Sequence, residues 1–343
     1  MLPALESGEE ILVGGQAVLE GVMMRSPHAW GITVRKPSGE LVSHAEPLER
    51  PSEHHKWMGW PLVRGVVTLG QAMKLGYRAL RFSANVALAE AEPPPPNAPA
   101  PELAGKQDRD QPQSAKSHAK KFEISGWVAA VNIIISVGFF IVAYKLLPLV
   151  VATELKRYSP LMRTQLGFNV VDGIIRIVLF VLFIWGTSLW KELRRVYEYH
   201  GAEHKTVFAF ESGEPLTIPA AQRFSTYHPR CGTSFLITVM LISIVAYTLV
   251  PVTSFGARFA IRIALLPVIA GASYEIIRFA AKLRSCVGSH AASWLFTVLT
   301  APGMWLQRIT TQPPSDGQVE CAITALNCAM ELEKARGGEL VIA

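Results

Sequence analysis

The residue types best suited to chemistry lie in one short segment, which reads His200-Gly201-Ala202-Glu203-His204. Residues four apart share one face of a helix, so the imidazoles of His200 and His204 can reach the same metal ion. Glu203 lies beside them and is a candidate general base, as in hydrolases with the order H-x-x-E-H. Two histidines make half of a tetrahedral zinc site, so the segment predicts further ligands elsewhere in the chain.

Two other segments carry candidate ligands at the same predicted depth. His228 and Cys231 precede an apolar block on a tight turn, and Glu275 lies near the end of another block. Imidazole and thiolate ligands favour zinc among the divalent metals. The predicted metal ligands are His200, His204, His228, Cys231 and Glu275. The sequence does not decide between His228 and Cys231, and it leaves open that Cys231 is an ordinary buried thiol or that Glu275 pairs with Arg278.

The composition indicates the class of protein that carries this motif. Of the 343 residues, 50% are hydrophobic and only 17% are charged, whereas soluble proteins carry about 25% charged residues. Charges are sparse in four blocks, 126–151, 170–190, 233–252 and 259–281. Each block is close to the roughly 20 residues that cross a bilayer as a helix. The predicted fold is mainly α, a polytopic membrane protein with about four transmembrane helices.

Basic residues next to the blocks predict the orientation. They are frequent before the first block and in the loop 191–232, and rare in the other two loops. The positive-inside rule then places both termini and this loop in the cytoplasm, where the cysteines remain free thiols. The net charge of +6 is explained by this bias, so no nucleic-acid partner is predicted. The start of the chain lacks a secretory signal pattern, so we expect the first span to direct insertion.

The chain is predicted to divide into four regions. Residues 1–90 contain an alternating segment around Trp30 that predicts a small antiparallel sheet, followed by a basic amphipathic helix. Residues 91–122 are a Pro-rich flexible linker. Residues 123–285 form the transmembrane domain with the cytoplasmic loop 191–232. Residues 286–343 form cytoplasmic helical extensions, an interfacial or re-entrant helix and a C-terminal helix.

Two of these helices carry more detailed expectations. The amphipathic helix has an apolar stripe, which we expect to lie on an anionic membrane surface or to pack on the sheet. The stripe comprises Leu62, Val66, Leu69, Met73, Tyr77 and Leu80. In the C-terminal helix, Ser315 and Gln318 have capping-box spacing, and Gly337-Gly338 is the predicted stop. Within the second apolar block, Asp172 and Arg176 are four apart, which predicts an ion pair or, alternatively, a proton or solute pathway.

Several strings in the sequence resemble one family. They are GGQAVLEGVMMR at 14–25, YHGAEHK at 199–205 and HPRCGT at 228–233, with shorter matches at 273–275, 301–303, 310–311 and Pro314. The chain is similar to the YqhQ-like family of uncharacterised bacterial membrane proteins, often labelled metal-dependent enzymes by prediction. The resemblance implies a multi-pass protein of the bacterial cytoplasmic (inner) membrane with a candidate metal site at His200 and His204. It implies no substrate. Within the first string, Gln16, Glu20 and Arg25 are further candidate site residues, although a structural role fits them equally well.

The leading functional hypothesis is a divalent-metal, zinc-dependent hydrolase at the cytoplasmic face, with Glu203 as the catalytic residue and the lipid bilayer as a partner. The substrate is unknown, and homo-oligomers are compatible with this hypothesis. The competing hypothesis is a non-enzymatic scaffold or metal sensor with a closed structural site. A transporter is the third, suggested by Asp172, Arg176 and Glu275 within apolar blocks, although the sequence shows no inverted repeat.

Overall fold

A computed structural model describes residues 13–48, 55–91, 126–229, 231–287 and 290–335. Most of the Pro-rich linker and the Gly337-Gly338 stop lie outside the described residues. The N-terminal strands are β1 (Gly14–Val18), β2 (Gly21–Arg25), β3 (Ala29–Arg35) and β4 (Leu41–Pro47). They form a four-stranded sheet in the order β1-β2-β3-β4, with antiparallel neighbours. The predicted small antiparallel region is therefore confirmed.

The described helices follow the sheet in chain order. They are α1 (Val63–Ala91), α2 (Gly126–Ile141), α3 (Leu147–Leu155), α4 (Gln165–Ser188), α5 (Lys191–Glu211), α6 (Ile218–Gln222), α7 (Gly232–Leu249), α8 (Phe255–Ala264), α9 (Leu266–Val287), α10 (His290–Thr310) and α11 (Asp316–Ala335). A π-helical segment, Val142–Leu146, joins α2 to α3. The helical content confirms the mainly α prediction.

Both faces of the sheet are buried. On one face, Trp30 and Ile32 pack with Leu75 of α1. On the other face, Val22 and Met24 pack with α5 and α11. This division follows from the pleat, because successive strand residues point to opposite faces. The sheet therefore joins the N-terminal region, the histidine helix α5 and the C-terminal helix α11 into one body.

Helix α1 confirms the predicted helix and shows which side of it packs. Leu75 and Ala79 are buried against the sheet, whereas much of the predicted apolar stripe points outward. Met73 is 69% exposed and Tyr77 is 52% exposed. The sheet contacts a neighbouring side of the helix, so most of the stripe stays exposed.

Among the residues that the structure describes, three helical segments are long and apolar enough to cross a membrane, namely Val131–Leu155, Gln165–Ser188 and Gly232–Leu249. The fourth predicted block is not one straight helix, because α8 and α9 meet at a bend of 48°. Pro267 lies in the first turn of α9, and its ring cannot be accommodated by an uninterrupted preceding helix. The described residues therefore contain three candidate spans, or four if the bent pair makes one crossing.

One of the two C-terminal helices begins with the predicted cap, and the other continues through a proline. Ser315 caps α11, and its backbone N–H donates to Oε1 of Gln318 at 2.8 Å, which is one half of the predicted capping box. Helix α10 continues through Pro302, which lies inside it. A Cβ at Gly303 would come within 2.3 Å of the Ser234 side chain, so α10 passes very close to the start of α7.

Candidate metal centre

Helix α5 carries the central residues of the candidate metal centre. It does not continue straight from α4, because Trp190 has an extended backbone (φ −82°, ψ 129°) and ends the preceding helix. His200, Glu203 and His204 lie on the side of α5 that faces the interior. The two imidazole rings are 4.4 Å apart between centroids. The helical spacing therefore brings the two histidines together, as the sequence predicts.

Backbone carbonyl groups orient both imidazoles. Nδ1 of His200 donates to the carbonyl oxygen of Thr310 at 2.8 Å, and Nδ1 of His204 donates to that of Thr226 at 2.5 Å. A carbonyl oxygen only accepts, so each ring carries a proton on Nδ1, and in the neutral imidazole the lone pair is then on Nε2. Metal-binding histidines are commonly held in this way by a partner on the other nitrogen.

Cys231 completes a group of three ligand atoms. One ring nitrogen of His200, one of His204 and Sγ of Cys231 all lie within 4.8 Å of one another. The separation of Sγ from Nε2 of His200 is 3.3 Å, near the roughly 3.6 Å expected between nitrogen and sulfur ligands of tetrahedral zinc. Nε2 of His204 is buried and has no hydrogen-bond partner among the described residues. These three residues could hold a metal ion.

Glu203 lies beside the two imidazoles but outside the group of three. Its Oε2 is 3.7 Å from Nε2 of His204 and 3.9 Å from Nε2 of His200. The side chain packs closely on Gly15 of β1, where a Cβ would lie 2.7 Å from Cγ of Glu203. Burial raises the pKa of Glu203, against the opposing effect of His200 and His228. The carboxyl group therefore lies beside the cluster in surroundings that favour its protonated form more than water does.

His228 lies next to the group. Its ring centroid is 5.7 Å from that of His204, and its Nε2 is 3.4 Å from Oε2 of Glu211. Gln307 of α10 fixes the backbone there, accepting from the His228 N–H and donating to the His228 carbonyl. Burial lowers the pKa of His228, which favours its neutral form. The structure therefore places His228 beside the three ligand atoms rather than among them.

Glu275 lies at a different place from the three ligand atoms. Both of its carboxylate oxygens accept from the guanidinium of Arg64 on α1, and one of them is 2.6 Å from Nε. The backbone there is close, because a Cβ at Gly271 would lie 2.4 Å from the carbonyl oxygen of Leu62. The main ion-pair partner is thus Arg64 rather than the Arg278 considered from the sequence. This bidentate pair fastens α1 to α9.

The N-terminal candidates separate into two groups. Gln16 and Arg25 line the same cavity as the histidine cluster. Glu20 instead lies at the β1–β2 turn with a positive φ of 52°, where both oxygens accept from the guanidinium of Arg195. The hydroxyl of Tyr199 also donates to Glu20, at 3.3 Å. Glu20 therefore links the sheet to α5 from outside the cluster.

A cavity of about 280 Å³ opens onto the cluster. Its walls come from the sheet, from α5, from the start of α7 and from the inner side of α1. Polar groups from Gln16, Arg25 and Thr68 meet apolar groups from Leu69 and Phe235. The cavity can therefore hold a ligand that has both a polar and an apolar part.

Some residues that shape this centre carry no side-chain signal in the sequence. Thr226 and Thr310 act through backbone carbonyl oxygens, which any residue type could supply. Gln307 acts through its contacts with the backbone of His228, and these contacts exist only in the folded protein. Gly201 is different, because a Cβ there would lie 2.2 Å from the carbonyl oxygen of Gln312. A glycine within the histidine motif is therefore a feature of the sequence that indicates a close backbone contact at this position.

Comparisons with known proteins agree with the family resemblance. The chain is 29% identical over 321 residues to "Uncharacterized protein YqhQ" of Bacillus subtilis (strain 168), which covers 93% of this chain and 92% of that protein. No solved structure matches the chain. The family model described as "Protein of unknown function (DUF1385)" matches residues 60–332. The chain therefore belongs to this YqhQ-like DUF1385 family.

Proposed function

We propose that this chain is an integral membrane protein that holds a divalent metal ion, zinc, at its cytoplasmic face and uses it for hydrolysis. The observation that carries the proposal is the pair of Nδ1–H···O=C hydrogen bonds of His200 and His204. They leave both Nε2 atoms free and close to the Cys231 thiol. Two imidazoles and one thiolate match zinc better than magnesium or calcium, which prefer oxygen ligands.

The exposed surface of the long helices supports membrane insertion. In the segment Val131–Leu155, Ile134 is 69% exposed and Ile135 is 64% exposed. Contiguous apolar surface of this kind is unfavourable in water and favourable in lipid. The lipid bilayer is therefore the proposed partner of these helices.

The packing of the terminal regions supports four crossings. The N-terminal sheet and α11 share one core, so they lie on the same side of the membrane. The chain must then cross the membrane an even number of times between the sheet and α11. With three straight candidate spans, the bent pair α8–α9 is the fourth span, and α10 lies on the same side as the sheet. The positive-inside rule then assigns that side to the cytoplasm, since the basic residues lie mainly before the first span and in the loop 191–232.

The exposed stripe of α1 fits the same arrangement. Met73, Tyr77 and Leu80 point outward, and the basic residues Lys74 and Arg81 lie beside them. Trp60 precedes the helix and is 64% exposed. Tryptophan and an apolar stripe flanked by basic residues are typical of helices that lie at the surface of an anionic membrane. We therefore place α1 on the cytoplasmic leaflet.

The residues around the three ligands suit a hydrolytic reaction. A bound zinc ion would supply a Lewis acid that lowers the pKa of water. Glu203 would accept the proton from the attacking water and pass it to the leaving group, because burial raises its pKa toward the range useful for proton transfer. The mixed cavity would orient an amphiphilic substrate with a peptide, ester or phosphate-type bond.

Metal content is the first test of this proposal. We expect about one zinc per chain by mass spectrometry of the detergent-purified protein, and none in a His200→Ala, His204→Ala double variant. His55→Ala is a matched control, since His55 is exposed and is neither in the group of three nor in the cavity lining. Absence of zinc from the parent protein after zinc is added would refute the site.

Glu203→Gln separates an enzyme from a structural site. If Glu203 moves a proton, the variant keeps its zinc and loses turnover in a hydrolase screen. If Glu203 is instead a fourth ligand, the variant loses zinc affinity. X-ray absorption would show how many protein ligands bind the metal. Four protein ligands would favour a closed, non-catalytic site. His228 is the specific candidate for the fourth ligand, because its ring lies near that of His204.

A further inference from the structure

Four charged side chains meet inside the helix bundle, away from the candidate metal centre. Asp172 and Arg176 belong to α4, Arg262 belongs to α8 and Lys145 lies in the π-helical segment. Asp172, Arg176 and Arg262 are only 1–3% exposed. Nη2 of Arg176 is 2.5 Å and Nη2 of Arg262 is 3.1 Å from the same oxygen of Asp172. The predicted Asp172–Arg176 ion pair is therefore part of a larger cluster.

The cluster has an excess of positive charge. Asp172 is the carboxylate shared by both guanidinium groups, and the described residues provide no second carboxylate within ion-pair distance of Arg176, Arg262 or Lys145. Lys145 adds a third cation, which donates to the Tyr247 hydroxyl at 3.1 Å. Three cations against one anion cannot remain balanced in a low-dielectric interior without a counter-charge or loss of a proton.

The three cations surround a single aromatic ring. Their charged groups lie 5.6, 5.5 and 5.2 Å from the centroid of Tyr247, for Lys145, Arg176 and Arg262 respectively. The ring face offsets part of the charge. It does not satisfy Nη1 of Arg262, which is buried without a hydrogen-bond partner among the described residues. One unused donor therefore remains within the positive cluster.

We propose that this cluster binds a small monatomic anion of the chloride class. Arg176 has no pair of adjacent N–H groups left for a bidentate contact. Its Nε donates to the Tyr144 carbonyl, Nη1 donates to Ser243 and Nη2 donates to Asp172. Nη2 of Arg262 donates to Asn169 and lies 3.1 Å from Asp172, and Nη1 has no partner among the described residues. An oxyanion such as phosphate is usually recognised by a complete guanidinium fork. A spherical ion needs only single donors, such as Nη1 of Arg262 and the Lys145 ammonium.

The backbone around the cluster has two irregularities of the kind found at ligand sites. Lys145 lies in the π-helical segment Val142–Leu146, and Arg262 lies two residues before the end of α8, at the bend with α9. Single π-helical turns and broken helices within a bundle frequently mark binding sites. A water molecule bridging Nη1 of Arg262 and the unpaired Oδ1 of Asp172 would satisfy hydrogen bonds but leave the charge excess.

Binding of radioactive chloride to the detergent-purified full chain tests the proposal, with gluconate keeping the ionic strength constant. We expect saturable binding of about one chloride per chain and a higher thermal midpoint in chloride than in gluconate. Lys145→Gln should weaken binding by about tenfold or more, because it removes a charged donor. Arg157→Gln is the control, since Arg157 is exposed and pairs with Glu154; its chloride binding should equal the parent's.

Two results would overturn the proposal. The first is an absence of saturable chloride binding by the parent protein, which would leave a bridging water and a neutral Lys145 as the explanation. The second is unchanged binding in Lys145→Gln. If that variant does not fold, Tyr247→Phe replaces it, because it removes the hydroxyl that positions Lys145 and is expected to weaken binding. Metal content is unaffected by all these variants, so this test is independent of the zinc proposal.

Discussion

The contact between Gly201 and Gln312 leads to a specific prediction for Gly201→Ala. A Cβ at residue 201 would lie 2.2 Å from the Gln312 carbonyl oxygen and 3.3 Å from its carbon. The obstacle is backbone, and the Gln312 N–H is itself bonded to the Tyr197 carbonyl at 2.9 Å. The segment after α10 must therefore move away from α5. Its displacement would also shift Thr310, whose carbonyl holds Nδ1 of His200.

Two effects oppose each other in this variant. Alanine in a helix is more favourable than glycine by about 1 kcal/mol. Overpacking against a rigid neighbour costs about 1–3 kcal/mol, and an overlap of more than about 1 Å relative to ordinary contact belongs at the upper end. We therefore expect a net loss of unfolding free energy of about 1–2 kcal/mol. Loss of the group that hydrogen-bonds to a metal-binding histidine typically lowers metal affinity by about 10–100-fold, and we expect Gly201→Ala to show that loss.

The assay is competition for zinc against a chromogenic chelator, together with the thermal midpoint of the purified protein. Gly70→Ala is the matched control, because Gly70 also lies in a helix and a Cβ there meets nothing within 4 Å. This control should keep its zinc affinity and be slightly more stable. Parent-like zinc affinity in Gly201→Ala would refute the reasoning that the Thr310 carbonyl orients a metal ligand.

Three other predictions follow from described contacts. Burial opposes ionisation of Glu333, but hydrogen bonds from Ser26 and His28 outweigh this effect and lower the pKa of Glu333. The parent protein should therefore be more stable than Glu333→Gln above about pH 4.5. The difference between their denaturation midpoints should vanish as the pH falls through the pKa of Glu333 in the folded state. Lys205→Met should lose about 1–3 kcal/mol in chemical denaturation, because the buried ammonium donates to two backbone carbonyls at 2.6 Å, and parent-like stability would contradict that role. A spin label at Met73 should be quenched by lipid-soluble rather than aqueous relaxation agents in proteoliposomes, and the reverse would contradict the membrane placement of α1.

The sequence by itself determined the features that depend on local spacing. The interval of four residues between His200 and His204 required a helix to bring the imidazoles together, and α5 does so. Alternation around Trp30 predicted β3, and the Ser315–Gln318 spacing predicted the start of α11. The apolar blocks predicted the long helices, because the length and hydropathy of a segment depend only on contiguous residues.

The tertiary structure alone decided the features that depend on distant partners. Glu275 had several basic residues available in the sequence, and only folding shows that Arg64 is the main partner. The apolar stripe of α1 was compatible with a membrane surface or with packing on the sheet. In the folded protein the sheet contacts a different side of the helix.

The orientation of the histidines also depends on the fold. The carbonyl oxygens of Thr226 and Thr310 reach α5 from segments that follow it by many residues. Every residue has a backbone carbonyl, so no residue type marks these two in advance. Hydropathy likewise averages over the bend between α8 and α9. Side-chain periodicity thus predicted which ligands share a helix, whereas packing of separate segments decided which nitrogen of each ring faces the cluster.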